Sequence, residues 1–447
     1  MQFYYVVGLG KSGLSALEYM SKRKIQAIGW DDTENARIKA VSLGYEVVSL
    51  DKLDWRNVKE VVLSPGIPTY APAPHPVVLM AKKFHIPITG DIDLWARLER
   101  NPAHQFVCIT GTNGKSTTHA MIDHVLKLAI LPVQSGGNNG FPVFQFVSSP
   151  SIFNLELSSY QLEITHSIKF KVAVLLNITP DHISRHGTLE SYISAKESVF
   201  EHVDGIKVIG VDTELSAKVY ERHPDSLAIS VQRPVHNGYF AIDGKVYRVK
   251  DGEKTLLVAQ PDLPVAGQHN LFNTLAAFAV CSYLGVEDQA FWTYMRTYKA
   301  LPHRQEVVFE NSKLLVVNDS KATNAEASYP ALETYKNIYW ILGGIEKEGG
   351  LELLVPLLKN VRKAYIIGKN VDNFSAFLSE NNVSLECSNT LEVAMHSILN
   401  DVKKDSEKCV VLLSPAAASQ DQFRHFEHRG DCFRQMALEL FKVKESL

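Results

Sequence analysis

The sequence predicts an α/β protein built from three consecutive blocks of parallel β-sheet. Short apolar runs alternate with polar, helix-like stretches along the chain, which is typical of βαβ units. Each apolar run ends in Gly, Pro, Asp or Ser, so these residues collect at the carboxyl ends of the predicted strands, where open α/β sheets bind ligands. The 447 residues can form more than one hydrophobic core, and we place the blocks at 1–91, 92–300 and 301–447.

The first block carries four predicted strands, FYYVV, IQAIGW, VKEVVL and IPIT, and the Pro-rich stretch IPTYAPAPHP is predicted as a loop. The first strand leads into Gly8, Gly10 and Gly13, a G-x-G-x-x-G spacing that brings a helix N-terminus to a diphosphate. Asp31 and Asp32 follow about twenty residues later. The pattern predicts a Rossmann-like N-terminal domain, and taken alone it favours an NAD-dependent dehydrogenase.

The second block begins with a phosphate-binding pattern. The strand-like run VCIT leads into Gly111, Gly114, Lys115 and Ser116, and a helical pattern follows. Backbone N–H groups of such a loop bind phosphates, the lysine adds a charge for the β- and γ-phosphates, and the serine hydroxyl can bind Mg²⁺. Ile109 stands where the full consensus has its first glycine, so a glycine-rich turn capping a helix is the alternative. We predict a P-loop-type ATPase sheet here.

The rest of this block continues the parallel sheet and then changes character. SIFNLE, KVAVLLN and KVIGVD are predicted strands, each followed by polar residues. In the segment 228–266, alternating residues around Asn237-Gly238 and Asp243-Gly244 predict hairpins, which form a small antiparallel patch attached to the sheet. GQHNLFNTLAAFAVCSYLGV has apolar residues at helical spacing and ends at Gly285.

The third block contains four strand-then-loop units, KLLVVN, NIYWILGG, KAYIIG and KCVVLLS. Their polar or glycine residues again lie at the predicted carboxyl ends. We therefore predict a second Rossmann-like sheet as the C-terminal domain.

Composition narrows the classes of function. Apolar residues make up 45% of the chain and charged residues 21%, which is ordinary for a globular protein. A net charge of −3 gives no reason to expect nucleic acid or an acidic membrane as a partner. The five cysteines form no C-x-x-C pair, and Cys108, Cys281 and Cys409 lie in apolar runs and are predicted as core residues. We expect a cytoplasmic protein without membrane insertion.

Three further residues would complete an ATPase site, although each has an ordinary alternative. Glu156 ends a predicted strand, where a carboxylate can bind the metal of a phosphate loop, yet a lone glutamate there also suits a helix N-terminus. His182 follows another buried strand, but a lone loop histidine is more often a surface residue. Lys196 lies on an amphipathic helix, where a lysine is normally solvated. Spacing alone supports none of the three.

Six motifs occur in one order and carry a specific resemblance: GTNGKST, LELSSYQLE, NITPDH, AGQHNLFN, LPHRQE and NDSKATN. Together they resemble the Mur ligases, the ATP-dependent amide ligases that build the peptide of peptidoglycan. The resemblance runs from the first glycine loop nearly to the C-terminus. LLSPAAASQDQFRHFEHRGDCF and NDSKATN are similar to the family members that add D-glutamate to UDP-N-acetylmuramoyl-L-alanine.

The resemblance implies that the first glycine loop binds a UDP-sugar and not NAD. ATP would activate the L-alanyl carboxylate as an acyl phosphate, which the amine of D-glutamate attacks. It implies a UDP-sugar site at Gly10, Lys11, Ser12, Asp31, Asp32, Ser64 and Asn138, although these D-glutamate-adding members usually have an aliphatic residue and Thr in place of Lys11 and Ser12. The implied ATP site comprises Gly111, Thr112, Asn113, Gly114, Lys115, Ser116, Thr117, Asn270, Asn273, Arg304 and Asp319. The implied D-glutamate pocket comprises Lys321, Thr323, Lys347, Ser419 and Phe426.

Two Mg²⁺ ions are implied, with ligands from Ser116 and Glu156 and from His182 and a carbamylated Lys196. Lys115, His182 and Lys196 would be the catalytic residues. A lysine ammonium has no lone pair for a metal, whereas a carbamate offers anionic oxygen. We expect small molecules to be the only partners and the protein to be a monomer.

The sequence leaves three alternative functions open. Another Mur ligase, or a ligase like folylpolyglutamate synthase, would share the ATP chemistry, although the latter normally lacks an N-terminal glycine-loop domain. An NAD-dependent dehydrogenase with an accessory ATPase-like domain leaves GTNGKST and NDSKATN unexplained. A non-catalytic binding protein would have no need for the metal-site residues.

Overall fold

Three β-sheets follow one another along the chain, in the order that the sequence predicts. The structure is a computed structural model, and it describes residues 2–259, 261–346 and 350–442. The chain divides into two compact units, one of Met1–Asp262 with Leu271–Tyr298 and one of Leu263–Asn270 with Lys299–Leu447. The predicted fold class is confirmed: all three sheets are largely parallel, and the central one carries an antiparallel extension.

The N-terminal sheet has four parallel strands in the order β2-β1-β3-β4. Tyr4 to Val7 are buried without alternation, because helices cover both faces of the sheet. The strands are β1 (Phe3–Val7), β2 (Ala27–Trp30), β3 (Val58–Leu63) and β4 (Ile88–Thr89), and the helices are α1 (Lys11–Lys22), α2 (Glu34–Ser42), α3 (Pro76–Lys83) and α4 (Asp91–Leu98).

The central sheet has nine strands in the order β13-β12-β11-β10-β9-β8-β5-β7-β6. The strands are β5 (Gln105–Thr110), β6 (Val133–Gly137), β7 (Ile152–Glu156), β8 (Phe170–Leu175), β9 (Val203–Gly210), β10 (Leu227–Ser230), β11 (Gly238–Ile242), β12 (Lys245–Lys250) and β13 (Glu253–Ala259). The helices are α5 (Lys115–Leu128), α6 (Ser159–Leu162), α7 (Ile183–His186), α8 (Leu189–Glu197), α9 (Glu214–Arg222), α10 (Gln268–Tyr283) and α11 (Asp288–Met295).

One of the two predicted hairpin turns is wrong. Asp243-Gly244 does connect the antiparallel pair β11 and β12. Asn237-Gly238 instead begins β11, which pairs in parallel with β10. Gly238 has φ +127°, and a Cβ there would lie 2.1 Å from the carbonyl oxygen of Ala228, so the glycine is needed for close approach of two strands and not for a turn.

The C-terminal sheet has six strands in the order β14-β15-β19-β16-β17-β18, and only β14 and β15 pair in an antiparallel sense. The strands are β14 (Glu306–Glu310), β15 (Leu314–Asn318), β16 (Ile338–Gly343), β17 (Val361–Ile367), β18 (Leu385–Asn389) and β19 (Cys409–Leu413). The helices are α12 (Ala325–Thr334), α13 (Val371–Glu380), α14 (Leu391–Val402) and α15 (Phe426–Ala437).

The N-terminal and central sheets share one hydrophobic cluster, which runs from Val6 through Trp95 to Phe153. This continuity explains why the two predicted blocks form a single compact unit, and the division at residues 91 and 300 stays a prediction. Cys108, Cys281 and Cys409 are buried as predicted. Within the described part of the chain, every helix is too short or too polar to cross a membrane.

Candidate active site

The loop between β5 and α5 is shaped by two glycines. Gly111 has φ +149° and Gly114 has φ +87°, and both conformations are rare for residues with a side chain. A Cβ on Gly114 would lie 2.4 Å from Oδ1 of Asn273, so the loop also passes close to that amide. Helix α5 begins directly afterwards at Lys115. The geometry places a helix N-terminus and loop N–H groups at the carboxyl end of a strand, as an anion site requires.

Residues after β8 hold this loop in place. The backbone N–H groups of Thr112 and Asn113 donate to the carbonyl and the side-chain oxygen of Asn177, each at 2.9 Å. Thr112 Oγ1 accepts from the N–H of Thr179 at 3.0 Å and lies 2.9 Å from the hydroxyl of Tyr192. Neither Asn177 nor Thr179 was predicted as a site residue. Their position directly after a buried parallel strand is the signal that could have found them.

Lys115 and Lys196 both contact the loop. The Lys115 ammonium donates to the carbonyl oxygens of Gly111 and Thr112, each at 2.8 Å. Lys196 Nζ donates to the Gly111 carbonyl at 2.9 Å, and only 2% of the residue is exposed. Burial, together with the nearby charge of Lys115, lowers the pKa of Lys196 well below its ordinary value. Burial therefore excludes the ordinary alternative for Lys196, a solvated lysine, whereas its role as a metal ligand stays a prediction.

Glu156 ends β7 beside the loop, and one of its two carboxylate oxygens forms no hydrogen bond with the described residues. Asn138 Nδ2 donates to Glu156 Oε1 at 2.8 Å, and the Asn138 N–H donates to the Glu156 carbonyl at 2.7 Å. Oε2 is buried and has no hydrogen bond to any described residue. A buried carboxylate oxygen without a donor suits a cation, and Mg²⁺ prefers such oxygen ligands. The structure thus brings Asn138, assigned to the sugar nucleotide, to a metal candidate.

The other metal candidates surround the same strand ends. Ser116 lies in the first turn of α5. His182 has a left-handed backbone, with φ +55°. Its half-exposed ring is tilted against the ring of Tyr160, and its Nε2 lies 3.4 Å from Asp181 Oδ2. Within residues 2–259, 261–346 and 350–442, no three His, Cys, Asp or Glu side chains form a metal cluster. A magnesium site here would therefore need hydroxyl, phosphate, water or carbamate oxygens.

The N-terminal glycine loop is tightly packed. Gly8 has φ +94°, and a Cβ there would lie 2.5 Å from Ser64, whose hydroxyl donates to the Gly8 carbonyl at 2.9 Å. A Cβ on Gly13 would lie 2.0 Å from the Gly8 carbonyl oxygen. Gly10 precedes α1, and Lys11 is its exposed first residue. The glycine pattern is thus explained by packing of α1 against β1, whatever nucleotide binds.

The two acids after β2 differ in their partners. Asp31 accepts hydrogen bonds from the backbone N–H groups of Leu9 at 2.7 Å and Thr33 at 2.8 Å, so it orders the glycine loop. Asp32 is exposed, and one of its carboxylate oxygens lies 2.9 Å from Nε2 of His75.

Ser12, another residue of the proposed UDP-sugar site, contacts the buried Asp91. Burial raises the pKa of Asp91, whereas a hydrogen bond with Ser12 acts against that rise. Ser12 therefore also has a structural partner.

In the second compact unit, Asp319 follows β15 and is buried. It accepts hydrogen bonds from Ser414 Oγ at 2.8 Å and from the Gln305 N–H at 3.1 Å. Burial raises its pKa to about 7, despite these bonds and the nearby charge of Arg304. Such a carboxyl group can change its protonation near neutral pH, which is a property of many functional sites.

Four of the five residues predicted to bind D-glutamate are described. Lys321 Nζ lies 4.0 Å from the ring centre of Phe426, and Thr323 is half-buried two residues further along the chain. Ser419 is 1% exposed, and its hydroxyl has no hydrogen bond to any residue that the structure describes. Lys347 lies outside the described residues.

Arg429 was missed in the sequence analysis. Its guanidinium is buried and donates to the Ser320 hydroxyl at 3.0 Å, to the Ser320 carbonyl at 2.9 Å and to the Ala417 carbonyl at 3.1 Å. It thereby joins the loops after β15 and β19, and burial lowers its pKa to about 10. An arginine in an amphipathic helix gives no sequence signal of such burial.

The two asparagines of α10 belong to different compact units. In the first unit, Asn273 Oδ1 approaches Gly114. Asn270 Nδ2 donates to the Ala266 carbonyl at 2.7 Å. Their predicted contacts with ATP stay predictions.

Comparison with known proteins adds independent information. Residues 2–90 match the family model "Mur ligase MurD-like, N-terminal domain", and residues 109–281 match "Mur ligase middle domain". The UDP-N-acetylmuramoylalanine–D-glutamate ligase of Mesorhizobium japonicum is 39% identical, with 98% of this chain and 96% of the relative covered. The ligase of the same name from Rhodospirillum rubrum is 40% identical, covering 97% and 94%.

Solved structures of similar fold are more distant in sequence. The UDP-N-acetylmuramate–alanine ligase MurC from Thermotoga maritima has a TM-score of 0.58 at 17% identity, with 98% of this chain and all of that chain covered. MurF from Acinetobacter baumannii has a TM-score of 0.59 at 18% identity, covering 78% and 82%. These structures support the fold, and the long alignments with the D-glutamate ligases establish the family. The chain belongs to the Mur ligase family.

Proposed function

We propose that this protein is the ATP-dependent ligase that adds D-glutamate to UDP-N-acetylmuramoyl-L-alanine in the synthesis of peptidoglycan precursors. The observation that carries the proposal is the nearly full-length alignment, at about 40% identity, with ligases of that name. The geometry of the candidate site supports it, because a phosphate loop, a buried carboxylate and a buried lysine lie together at one sheet edge. We further propose that the protein acts in the cytoplasm as a monomer.

The reaction has to convert a poor acyl donor into a good one. The L-alanyl carboxylate would attack the γ-phosphorus of ATP, which forms an acyl phosphate and releases ADP. The amine of D-glutamate would then attack the acyl carbon, and collapse of the tetrahedral intermediate would release phosphate and a proton and leave the amide. Negative charge develops on the phosphoryl oxygens in the first step, so cationic groups fixed in advance lower the barrier.

Lys115 is the residue best placed to meet that charge. Its ammonium is held by the carbonyl oxygens of Gly111 and Thr112, within the loop that would bind the phosphates. The loop itself is fixed by Asn177, so little reorganisation is needed when ATP binds. Gly111 to Thr117, together with Asn270, Asn273, Arg304 and Asp319, remain our proposed ATP-binding residues.

The candidate metal ligands fit Mg²⁺ by their chemistry. Ser116 and Glu156 would hold one ion, and His182 and a carbamylated Lys196 would hold the second. Bound there, Mg²⁺ would neutralise charge on the phosphate oxygens. Asn138 orients the Glu156 carboxylate through its amide, so that Oε2 stays available. This pairing gives Asn138 a role in addition to its proposed contact with the sugar nucleotide.

Carbamylation of Lys196 requires a neutral amine, since only the free lone pair can attack CO₂. Burial and the charge of Lys115 both lower the pKa of Lys196, which increases the neutral fraction at physiological pH. The amine would lose one proton as the N–C bond forms, and the product is an anionic carbamate. The negative charge of the carbamate would lie beside the Lys115 ammonium, and the attraction between the two charges would stabilise the carbamate.

The substrates are assigned to two further groups of residues. Lys321, Thr323, Lys347, Ser419 and Phe426 would bind D-glutamate. The Ser419 hydroxyl has no hydrogen bond among the described residues, which supports it as a donor to one of the carboxylates. Gly10, Lys11, Ser12, Asp31, Asp32, Ser64 and Asn138 would bind the UDP-sugar. Lys11 and Asp32 carry exposed side chains at the glycine loop, so they are our candidates for direct side-chain contact.

One assay tests the proposed function. Release of ADP is measured with ATP, Mg²⁺ and UDP-N-acetylmuramoyl-L-alanine, and with D-glutamate, L-glutamate or meso-diaminopimelate as the acceptor. We expect turnover with D-glutamate alone. Turnover with meso-diaminopimelate would place the protein among other Mur ligases, and turnover with L-glutamate would contradict the proposed pocket.

A further inference from the structure

Glu163 is a buried carboxylate to which neither the sequence analysis nor the proposed mechanism gives a role. Its side chain is 8% exposed and directly follows α6. Four side chains contact it: Thr69 at 2.9 Å, Tyr70 at 2.8 Å, His186 at 2.9 Å and Arg185 at 3.5 Å. A buried acid with this many donors is a junction between the elements that carry them.

The four donors come from two places in the chain. Thr69 and Tyr70 belong to the segment 64–75 between β3 and α3, here called the β3–α3 loop, which begins at Ser64 of the proposed UDP-sugar site. Arg185 and His186 lie on α7, one turn after His182, a proposed metal ligand. Glu163 therefore joins a loop of the N-terminal block to the helix that follows His182.

Further bonds connect the same two elements. Arg185 Nη2 also donates to the carbonyl of Ile67 at 3.1 Å, and Tyr70 Oη lies 3.0 Å from Nδ1 of His186. His186 Nε2 lies 2.9 Å from the Ser159 hydroxyl. A proton on Nδ1 of His186 satisfies this set, since Nδ1–H donates towards Glu163 and Nε2 accepts from the Ser159 hydroxyl.

The side chains around Glu163 favour its ionised form. Burial acts against its charge, but the hydrogen bonds from His186, Tyr70 and Thr69 outweigh burial and lower the pKa below its ordinary value. The carboxylate has the Arg185 guanidinium as counter-charge. Removal of either charged partner would leave the other buried and unpaired, whereas loss of the hydroxyls of Thr69 and Tyr70 leaves this pair intact.

We propose that Glu163 is a positioning residue that fixes the β3–α3 loop relative to α7, and so sets the distance that the UDP-sugar substrate must span. The inference rests on the proposed function. The uridine diphosphate end would contact the N-terminal block, at Gly10 to Ser12 and Ser64, and the muramoyl-L-alanine end would reach the central block near Asn138. A ligand that touches both blocks gains affinity when their separation is fixed in advance. A ligand that touches one block gains nothing.

This difference between two ligands provides the test. The double variant Thr69→Val/Tyr70→Phe removes the loop side of the junction and keeps the Glu163–Arg185 pair. Calorimetric titration with UDP-N-acetylmuramoyl-L-alanine should show a dissociation constant raised about tenfold, the order expected for losing hydrogen bonds to a charged group. Titration with UDP should give the wild-type value.

Two control variants exclude a general loss of structure. Tyr339→Phe removes another tyrosine hydroxyl that donates to a carboxylate, that of Asp405 at 3.1 Å, inside the second compact unit, and should bind both ligands normally. Thr69→Ser keeps the hydroxyl and should bind like the wild type. Thermal melting should show small and similar shifts for the double variant and for Tyr339→Phe.

Each other result counts against the inference. Equal weakening of UDP and of the UDP-sugar would mean that the loop only shapes the uridine pocket. Unchanged binding of the UDP-sugar would mean that the junction has no role in positioning. If the wild-type protein binds no UDP-N-acetylmuramoyl-L-alanine at all, the proposed function fails together with this inference, which distinguishes that case from the other two.

Discussion

The ammonium groups of Lys115 and Lys196 donate to the same atom, the carbonyl oxygen of Gly111, at 2.8 and 2.9 Å. Two like charges at one acceptor are unfavourable, especially where one is almost fully buried. Neutralisation of Lys196 relieves the repulsion, and an anionic group at its end would replace repulsion by attraction. This relationship gives a physical reason for a modified lysine at this position.

Replacement of Lys196 tests the carbamate. Lys196→Ala should lose activity by a hundredfold or more, on the order of losing a group that stabilises the transferring phosphoryl. Short carboxylates such as formate or acetate should restore part of it, because they can supply the missing anionic oxygen. Lys196→Arg should stay inactive, since a guanidinium cannot be carbamylated in this way. Full activity of Lys196→Arg in the ADP assay would show that a simple cation is enough.

Lys115→Ala should affect turnover far more than folding. The charge is placed for a transferring phosphoryl group, so we expect a rate lower by roughly a hundredfold or more. Two hydrogen bonds to loop carbonyls are lost as well, but Lys115 is only partly buried, so water can replace the ammonium at those carbonyls and the net loss of stability should be small. Initial rates and thermal melting of the same preparation separate the effects. A near-normal rate would identify the loop as a structural turn.

Asn138→Ala should weaken Mg²⁺ activation. The amide donates to Glu156 Oε1, and loss of a group that orients a metal ligand typically costs about ten- to a hundredfold in metal affinity. The half-saturating Mg²⁺ concentration should therefore rise in the ADP assay. Asn139→Ala is a matched control, because its amide lies 3.4 Å from His119 and not beside Glu156. Equal effects of the two substitutions would contradict a specific role for Asn138.

Asp319 should make the stability of the protein depend on pH. Burial raises its pKa from 3.8 to about 7, so the folded state holds this proton more tightly than the unfolded chain does. The stabilisation is complete below about pH 4 and is lost as pH rises through about 7, with a slope of at most about 1.4 kcal/mol per pH unit.

Asp319→Asn removes this titration. Melting temperatures measured between about pH 5 and pH 8 should fall more steeply with pH in the wild type than in the variant. Asp372→Asn, at an exposed position, should follow the wild type. Parallel curves for the wild type and Asp319→Asn would show that Asp319 is ionised throughout this range.

Ser419→Ala should raise the KM for D-glutamate. The buried hydroxyl has no hydrogen bond to a described residue, and we expect it to donate to a carboxylate of the amino acid. A hydrogen bond to a charged group contributes about 1.5–3 kcal/mol, which corresponds to roughly a tenfold to hundredfold change. The KM for ATP should not change. A higher KM for ATP with an unaltered KM for D-glutamate would move Ser419 out of the proposed pocket.

The sequence predicted the architecture well where local pattern and burial agree. The buried parallel strands β1, β5, β8 and β16 were found because each contains a run of at least four consecutive apolar residues. β6 was missed, since VQSGG is neither apolar nor β-branched along most of its length and forms a strand only by pairing with β7. The turn predicted at Asn237-Gly238 was wrong because glycine is needed both in tight turns and where two strands approach closely, and the sequence does not distinguish the two cases.

From the residues alone, candidate site residues could be predicted only where they form a short local pattern that shapes the backbone. The glycines and Lys115 form a local pattern that stands out in any sequence. Burial of Lys196 depends on packing of α8 against a loop 85 residues away, so local spacing favoured a solvated side chain. Arg429 contacts a loop 109 residues away and was missed for the same reason. The family resemblance pointed to a role for Lys196, but it pointed to no role for Arg429.

The packing of Gly8, Gly13 and Asp31 has a consequence for engineering ligand choice. The two glycines permit helix and strand to touch, and both carboxylate oxygens of Asp31 accept hydrogen bonds from the protein's own backbone. These three residues act as scaffold. A library that aims to exchange the bound nucleotide should therefore keep them fixed and diversify the exposed Lys11 and Asp32, where side chains can change without collapse of the loop. A search by glycine spacing alone would group such redesigned variants with their parent despite different ligands.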